Sequence, residues 1–370
     1  MAYWCCLGYV TLLAVVIGPV GIAGASIQLD VHGKRFSCPD PSIAYVPQLI
    51  VWGGRYAEAC TTDSDRNALA LYRSNDLRLR WRLVGYVFPA GHHPVWASAR
   101  TGDTSGGLYW APDIHWIEGR WVVYFAAMPR SPMGPAVRGF VLGVAWSKSL
   151  LGPWRSRILH WRGQFDSLGG EQEAYGDVID PAEAENPQTK QRYLYWAERH
   201  SSVWGAELSS DGLSMASDVH QLIWAEEPND CDSLDPSTCC MEGPVAFFKN
   251  VDGQEWTYLL YSTRSTWRGT YEMGAAASTN PLGGFERLGH QPILRSGNGW
   301  WGPGGGSAPV WDPATAASWI PYHATRRREN LGDVSSWRLA LIGKVTWTPE
   351  PLAYTPYTLP TPVINGGVAG

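Results

Sequence analysis

Residues 241–285 hold the unit on which the fold is read. They open on Met241-Glu242-Gly243-Pro244 and pass through Trp256-Thr257-Tyr258-Leu259-Leu260-Tyr261. They close on Ser278-Thr279-Asn280-Pro281-Leu282-Gly283-Gly284-Phe285. A carboxylate beside a Gly-Pro step marks a tight backbone. The short run of Trp, Tyr and Leu favours a strand, and Asn-Pro-Leu-Gly-Gly favours a turn.

The same order recurs on both sides of this unit. Upstream, Asp40-Pro41-Ser42 precedes Gln48 to Trp52 and Tyr72-Arg73-Ser74-Asn75-Asp76-Leu77. Trp110-Ala111-Pro112-Asp113 precedes Trp121 to Phe125 and a stretch ending Leu150-Leu151-Gly152-Pro153-Trp154. Ile179-Asp180-Pro181 precedes Tyr193-Leu194-Tyr195-Trp196. Downstream, Gly306-Ser307-Ala308-Pro309 precedes Trp319 to His323 and Arg338 to Val345. The period is roughly 60–70 residues, the size of a four-stranded propeller blade with long loops. Helical periodicity is weak, and the apolar segments are short and rich in Val, Tyr and Trp. The expected fold is all-β, a five-bladed β-propeller forming a single domain over residues 26–370.

A propeller has a functional consequence. The innermost strand of each blade lines one axis, so motifs at equivalent blade positions converge there. Asp40, Asp180 and Glu242 are thereby expected in one pocket. Hydrolysis of a glycosidic bond needs two carboxyl groups in opposite roles, one protonated and one ionised, and a third can orient and tune the acid. Asp-Pro and Glu-Gly-Pro are also ordinary turn sequences. The joint pattern, rather than any single motif, points to this chemistry.

Composition narrows the alternatives. The chain has 370 residues, 45% of them hydrophobic and 17% charged, with a net charge of −5. No basic stripe suggests a nucleic-acid partner. The 41 glycines and 27 prolines suit many short strands joined by turns. Tryptophan is abundant, 21 in all. Most are expected in the core, while a few can present a flat face to a sugar ring.

Leu12 to Ile22 is apolar and ends in Ala23-Gly24-Ala25, so residues 1–25 read as a signal peptide and the protein as secreted. No Lys or Arg precedes the run, and an uncleaved signal anchor is the alternative reading. No other segment is long and apolar enough to span a membrane. Of the cysteines beyond residue 25, Cys38 with Cys60 and Cys231 with Cys239 or Cys240 are plausible pairs. The odd count leaves one thiol over, and connectivity stays open.

Together these motifs resemble glycoside hydrolase family 43 from about Cys38 to about Glu350. Pro39-Asp40-Pro41-Ser42-Ile43 resembles the motif of the family's general base. Gly176-Asp177-Val178-Ile179-Asp180-Pro181 resembles that of the residue that tunes and orients the acid. Met241-Glu242-Gly243-Pro244 resembles that of the general acid. Trp110-Ala111-Pro112-Asp113 and Tyr322-His323-Ala324 match further blade signatures. The resemblance implies an inverting hydrolase acting on arabinose-containing plant cell-wall polysaccharide, an α-L-arabinofuranosidase or an arabinanase. A β-xylosidase of the same fold, or a non-catalytic glycan-binding propeller, is the alternative. Trp110, Asp113, Trp301 and His323 are expected at the substrate. The expected partner is a poly- or oligosaccharide met by a monomer, with no nucleic acid and no membrane after signal cleavage. One departure is plain: Gly302-Pro303-Gly304-Gly305-Gly306-Ser307 carries Gly305 where family members often have a histidine. No cofactor or metal is expected, and Gly305 counts against a central calcium ion.

Other candidates read as ordinary structure. His92 and His93 are loop residues, Asp312-Pro313 is a turn, and Arg326-Arg327-Arg328 is a solvated turn. Glu171 and Glu173 lie in a polar loop.

Overall fold

The fold is described from a computed structural model. It describes residues 26–46, 55–62, 67–97, 109–129, 139–160, 178–198, 201–226, 230–231, 240–265, 269–288, 292–297, 299–326, 338–351 and 358–365. The signal-peptide reading of residues 1–25 and the loop glutamates Glu171 and Glu173 lie outside them. No helix occurs among the described residues.

A two-residue strand β1 (Ser26–Ile27) opens the chain. The first blade is β2 (Ser42–Tyr45), β3 (Tyr56–Cys60), β4 (Ala68–Ser74) and β5 (Arg82–Phe88). The second is β6 (Tyr109–Ile117), β7 (Arg120–Ala127), β8 (Val141–Ser147) and β9 (Arg155–His160). The third is β10 (Val178–Glu185), β11 (Arg192–Glu198), β12 (Ser202–Leu208) and β13 (His220–Trp224). The fourth is β14 (Met241–Val251), β15 (Gln254–Thr263), β16 (Glu272–Ser278) and β17 (Glu286–Arg287). In each, sequential strands pair antiparallel as a meander. The expected strand Gln48 to Trp52 lies outside the described residues. The second strand of that blade is Tyr56–Cys60, paired with β2 from Ser42↔Ala59 to Tyr45↔Tyr56.

The fifth blade is composite. It joins β18 (Trp301–Gly304), β19 (Val310–Asp312), β20 (Ala317–Thr325), β21 (Leu339–Pro351) and β22 (Thr358–Asn365). The N-terminal β1 adds to it, with Ser26↔Ile342 and Ile27↔Leu341. The bonds continue through the amide of Gln28 to Ala340 O at 3.1 Å and that of Cys38 to Arg338 O at 2.9 Å. The first described strand is thus stitched to the fifth blade, which closes the ring.

Each blade interface carries its own apolar core. Leu71 and Phe88 pack with Val123 and Phe125 between the first two blades. Val122 and Tyr124 meet Leu194 and Trp196 between the second and third. Tyr195 and Val203 meet Leu259 and Tyr261 between the third and fourth. Tyr258 and Leu260 meet Tyr322 and Leu341 between the fourth and fifth. Ile43 and Trp81 meet Val310 and Ile342 at the closing interface. A blade alone leaves both sheet faces apolar; only a neighbour on each side removes them from water. Trp81 and Trp196 are fully buried, as core packing predicts, whereas Trp224 and Trp311 stand exposed.

Candidate active site

One backbone feature repeats around the axis. Asp40, Ala111, Asp180, Gly243 and Gly305 take φ of 50°, 43°, 56°, 56° and 52°. A proline follows each of the first four. Where this residue lies within the inner strand, the ladder is interrupted: Trp110/Asp113 in β6, Ile179/Ala182 in β10 and Glu242/Val245 in β14. Such a bulge bends the strand and re-aims its first side chains. All five residues line one narrow channel at the N-terminal ends of the inner strands. Left-handed backbone is costly for a residue with a Cβ. Its presence at two aspartates therefore marks a constraint that the surrounding ring enforces.

The repeat also refines the sequence expectation. Asp40 and Asp180 occupy the same place in their blades. Glu242 sits one residue earlier, because Gly243 holds that place in β14. The offset does not separate the acids. The amide of Gly243 donates to Asp180 Oδ2 at 2.8 Å, so Asp180 is tied to the peptide unit adjoining Glu242.

Asp40 is held by three different parts of the chain. Thr61 Oγ1 donates to its Oδ2 at 2.8 Å, and Arg338 Nη1 to its Oδ1 at 3.1 Å. His323 Nδ1 lies 3.2 Å from its amide nitrogen and 3.3 Å from Oδ1, so the ring braces Asp40 in either neutral tautomer. Burial alone pushes this carboxyl up. The positive charge of Arg338, with hydrogen bonds from His323 and Thr61, outweighs it and holds the group well below the usual carboxylate range. Asp40 is thus ionised across the physiological range. His323 is itself pushed down, by burial and then by Arg338, which favours a neutral imidazole. The disulfide Cys38–Cys60 ties the two chain segments that carry Asp40 and Thr61.

Glu242 accepts a hydrogen bond from Tyr271 Oη on Oε1 at 2.8 Å. The Tyr271 ring lies parallel to that of His323, with centroids 6.3 Å apart and planes at 11°. Cys240, a free thiol, lies close enough to Glu242 to feel its charge. Burial, then the charge of Glu242, pushes that thiol well up, which favours its protonated form. Asp40 and Glu242 are thus linked through the parallel rings of His323 and Tyr271, and Asp180 adjoins Glu242 through the amide of Gly243.

The other expected site residues differ in what they touch. Asp113 is buried, and its carboxylate clasps three blades together. Ser42 Oγ donates to its Oδ1 at 2.8 Å, and the amide of Glu183 to its Oδ2 at 2.7 Å. His115 Nε2 lies 2.6 Å from the same Oδ2, while His115 Nδ1 reaches Glu183 Oε2 at 3.0 Å. Both oxygens of Asp113 are engaged by protein groups, so it supports the channel wall that it lines. Trp110 stacks on Phe140 at 4.1 Å and 28°, so one indole face is already covered. Trp301 is half-buried and pairs with Thr325 across the sheet. His323, 2% exposed, braces Asp40 from beneath.

Gly305 has no room for a side chain. A Cβ there would stand 2.5 Å from His323 Cε1 and 2.6 Å from Asp40 Oδ1. The imidazole at this level of the axis is that of His323, delivered by the neighbouring strand β20. Among the described residues, Cys38, Glu58 and Cys60 form the cluster with metal-like spacing. Both cysteines are spent in the disulfide, so the cluster offers no thiolate. Of the remaining cysteines, Cys231 is also disulfide-bonded.

Sequence reading missed Thr61, Ser262, Tyr271 and the role of Arg338. Only Arg338 falls within a repeat motif, at the start of its closing strand; the others come to the axis through a blade's second strand or a loop between strands. A polar residue at the channel end of an otherwise apolar strand was the available signal, and it is weak.

Comparison with known proteins gives a consistent picture. The profile of Glycosyl hydrolases family 43 matches residues 35–351. An extracellular exo-α-(1→5)-L-arabinofuranosidase of Streptomyces chartreusis is 33% identical over 78 residues, 21% of this chain and 23% of that protein. The match therefore spans about a quarter of that relative's length. Among solved structures, a thermostable family-43 glycoside hydrolase superposes with a TM-score of 0.65 at 18% identity, covering 90% of this chain and 96% of its own. The Cellvibrio cellulosa α-L-arabinanase complexed with arabinohexaose does so with a TM-score of 0.63 at 19% identity, covering 90% and 96%. At this identity these two similarities establish the propeller fold. No helix of the described residues is long and apolar enough to cross a membrane.

Proposed function

The chain belongs to the glycosyl hydrolases family 43, and from that premise we propose that it is an inverting hydrolase of arabinose-containing polysaccharide. In this reading it removes or cleaves α-L-arabinofuranosyl units after export from the cell. The observation that carries the reading is that Asp40 and Asp180 line one channel, with Asp180 bonded to the amide next to Glu242 and Asp40 held as a carboxylate.

Asp40 is the general base. It takes a proton from a water molecule as that water attacks the anomeric carbon. Glu242 is the general acid. It gives its proton to the glycosidic oxygen as the bond to the anomeric carbon breaks, so one water is consumed and two hydroxyl ends appear. Asp180, bonded to the amide of Gly243, orients Glu242 and adds negative charge beside it. The two end roles need opposite protonation states, and the surroundings of Asp40 supply one of them. Trp110 and Trp301 are the candidate stacking faces for the sugar.

The arabinose preference is supported by the named activity of the Streptomyces chartreusis relative and by the arabinohexaose bound in the Cellvibrio cellulosa structure. The apolar run ending at Ala23-Gly24-Ala25 supports export.

Hydrolysis of 4-nitrophenyl α-L-arabinofuranoside, 4-nitrophenyl β-D-xyloside and debranched arabinan tests the substrate. Release from the arabinoside or arabinan is expected, and release from the xyloside alone would shift the assignment to a β-xylosidase. Asp40→Ala and Glu242→Gln are each expected to lower turnover by about 10²-fold or more. Unchanged turnover in both would remove Asp40 as the base and Glu242 as the acid. Proton NMR of the first-released sugar is expected to show the inverted anomer.

A further inference from the structure

A buried hydroxyl of the same blade holds Glu242. Ser262 stands directly opposite Glu242 across the β14–β15 pair and is fully buried. Its Oγ accepts the amide of Gly305 at 3.0 Å and, with the Tyr271 ring, borders the space that Gly304 leaves open. Tyr271 Oη donates to Glu242 Oε1 at 2.8 Å. The ring that carries this hydroxyl is fixed in turn. Tyr271 is 2% exposed. A Cβ at Gly304 would stand 2.3 Å from its Cε1, so glycine there makes the space it fills.

The direction of this hydrogen bond matters to a carboxylic acid. The carbonyl oxygen of a carboxylic acid accepts a hydrogen bond far better than its hydroxyl oxygen, so a hydroxyl donating to Oε1 favours the proton on the other oxygen. The proton of a neutral Glu242 then resides on Oε2, and the carboxyl is held in one orientation. We propose that Tyr271, backed by Ser262, is a positioning residue that directs the transferable proton of Glu242 onto Oε2. The proposal rests on the reading of Glu242 as the general acid. In the step it serves, the Oε2–H bond breaks, the proton goes to the glycosidic oxygen, and the electron pair of the broken C–O bond stays with that oxygen. Asp40 takes the proton of the attacking water, and solvent returns both acids to their starting states.

Leaving-group dependence tests this. A nitrophenolate departs with little protonation, whereas a sugar alkoxide needs the proton. Tyr271→Phe keeps the ring against His323 and removes only the hydroxyl. On linear arabino-oligosaccharide its kcat is expected to fall about 30-fold or more. On 4-nitrophenyl α-L-arabinofuranoside it is expected to fall less than about threefold, with KM nearly unchanged on both. Ser262→Ala is expected to show the same split to a smaller degree. Glu242→Gln, run alongside, is expected to show the largest split. Equal losses on both substrates in Tyr271→Phe and Ser262→Ala, or no loss in either, would overturn the positioning role while leaving Glu242 as the acid. Absence of the split in Glu242→Gln would overturn the acid assignment and the proposal with it.

Discussion

Arg338 reaches Asp40 across 298 residues of sequence, with Nη1 3.1 Å from Oδ1. The contact joins the start of β21 to the start of β2, the two ends of the closed ring. It is at once a closure bond and the main counter-charge of Asp40.

Arg338→Met is therefore expected to act on pH dependence as well as rate. Burial raises the Asp40 carboxyl, and Arg338 leads the groups that overcome it. With the guanidinium gone, the acidic limb of kcat/KM against pH should move up from below the usual carboxylate range toward it or beyond. The pH–rate profile of the variant checks this. An unmoved acidic limb would mean that Arg338 serves closure alone.

Gly305→Ala should damage site and fold together. The new methyl would stand 2.6 Å from Asp40 Oδ1 at a φ of 52°. The left-handed backbone costs about 1 kcal/mol for a residue with a Cβ, before any clash. A lower melting temperature and a fall in kcat/KM of about tenfold or more are expected, read by calorimetry and initial rates. Gly305→His is expected to fare worse.

His115 should give the protein a stability that fades in alkali. Burial opposes its charge, but Asp113 and then Glu183 push it up to about 9. Its folded value lies above the unfolded one, about 6.5. The contribution is whole below that pH and is lost as pH rises toward 9. Melting temperatures of the wild type and His115→Gln should differ most near pH 6 and converge by about pH 9.5.

Glu58 works with the opposite sign. It is fully buried in β3, and among the described residues neither carboxylate oxygen has a hydrogen bond of full strength, only a weak lowering influence from Gln28. Burial pushes it well above the ordinary value of 4.5. An acid raised in the folded state costs stability as pH climbs from the unfolded value through the folded one. Glu58→Gln should raise the melting temperature, and the gain should grow from pH 4 to pH 8. A constant difference would show that Glu58 keeps one charge state over that range.

The Cys38–Cys60 disulfide closes a sequence separation of 22 residues. Replacing both cysteines by serine should cost about 3 kcal/mol in denaturant unfolding. Because the bridge joins the chain segments of Asp40 and Thr61, kcat should fall as well. Unchanged kcat at full folding would assign the bridge to stability alone.

Much of this protein was written locally. Asp-Pro, Ala-Pro, Asp-Pro and Gly-Pro at 40, 111, 180 and 243 are backbone instructions, and a reader of the chain meets them at blade-sized intervals. With aromatic strands between them they determine five similar units, and five units that cannot each cover their own faces determine a ring. A ring of such units is enough to bring Asp40, Asp180 and Glu242 to one axis. The motifs do not reveal that Gly243, rather than Glu242, is the true counterpart of Asp180. Nor do they reveal that Asp113 is engaged in clasping three blades. Those outcomes depend on distances of a few ångströms between strands that are far apart in sequence, and on which neighbour fills a space first. Thr61, Tyr271 and Arg338 belong to the same class. Their meaning arises only when the ring closes and burial makes every unpaired charge or hydroxyl costly, so that the fold, not the motif, decides which partner each acid keeps.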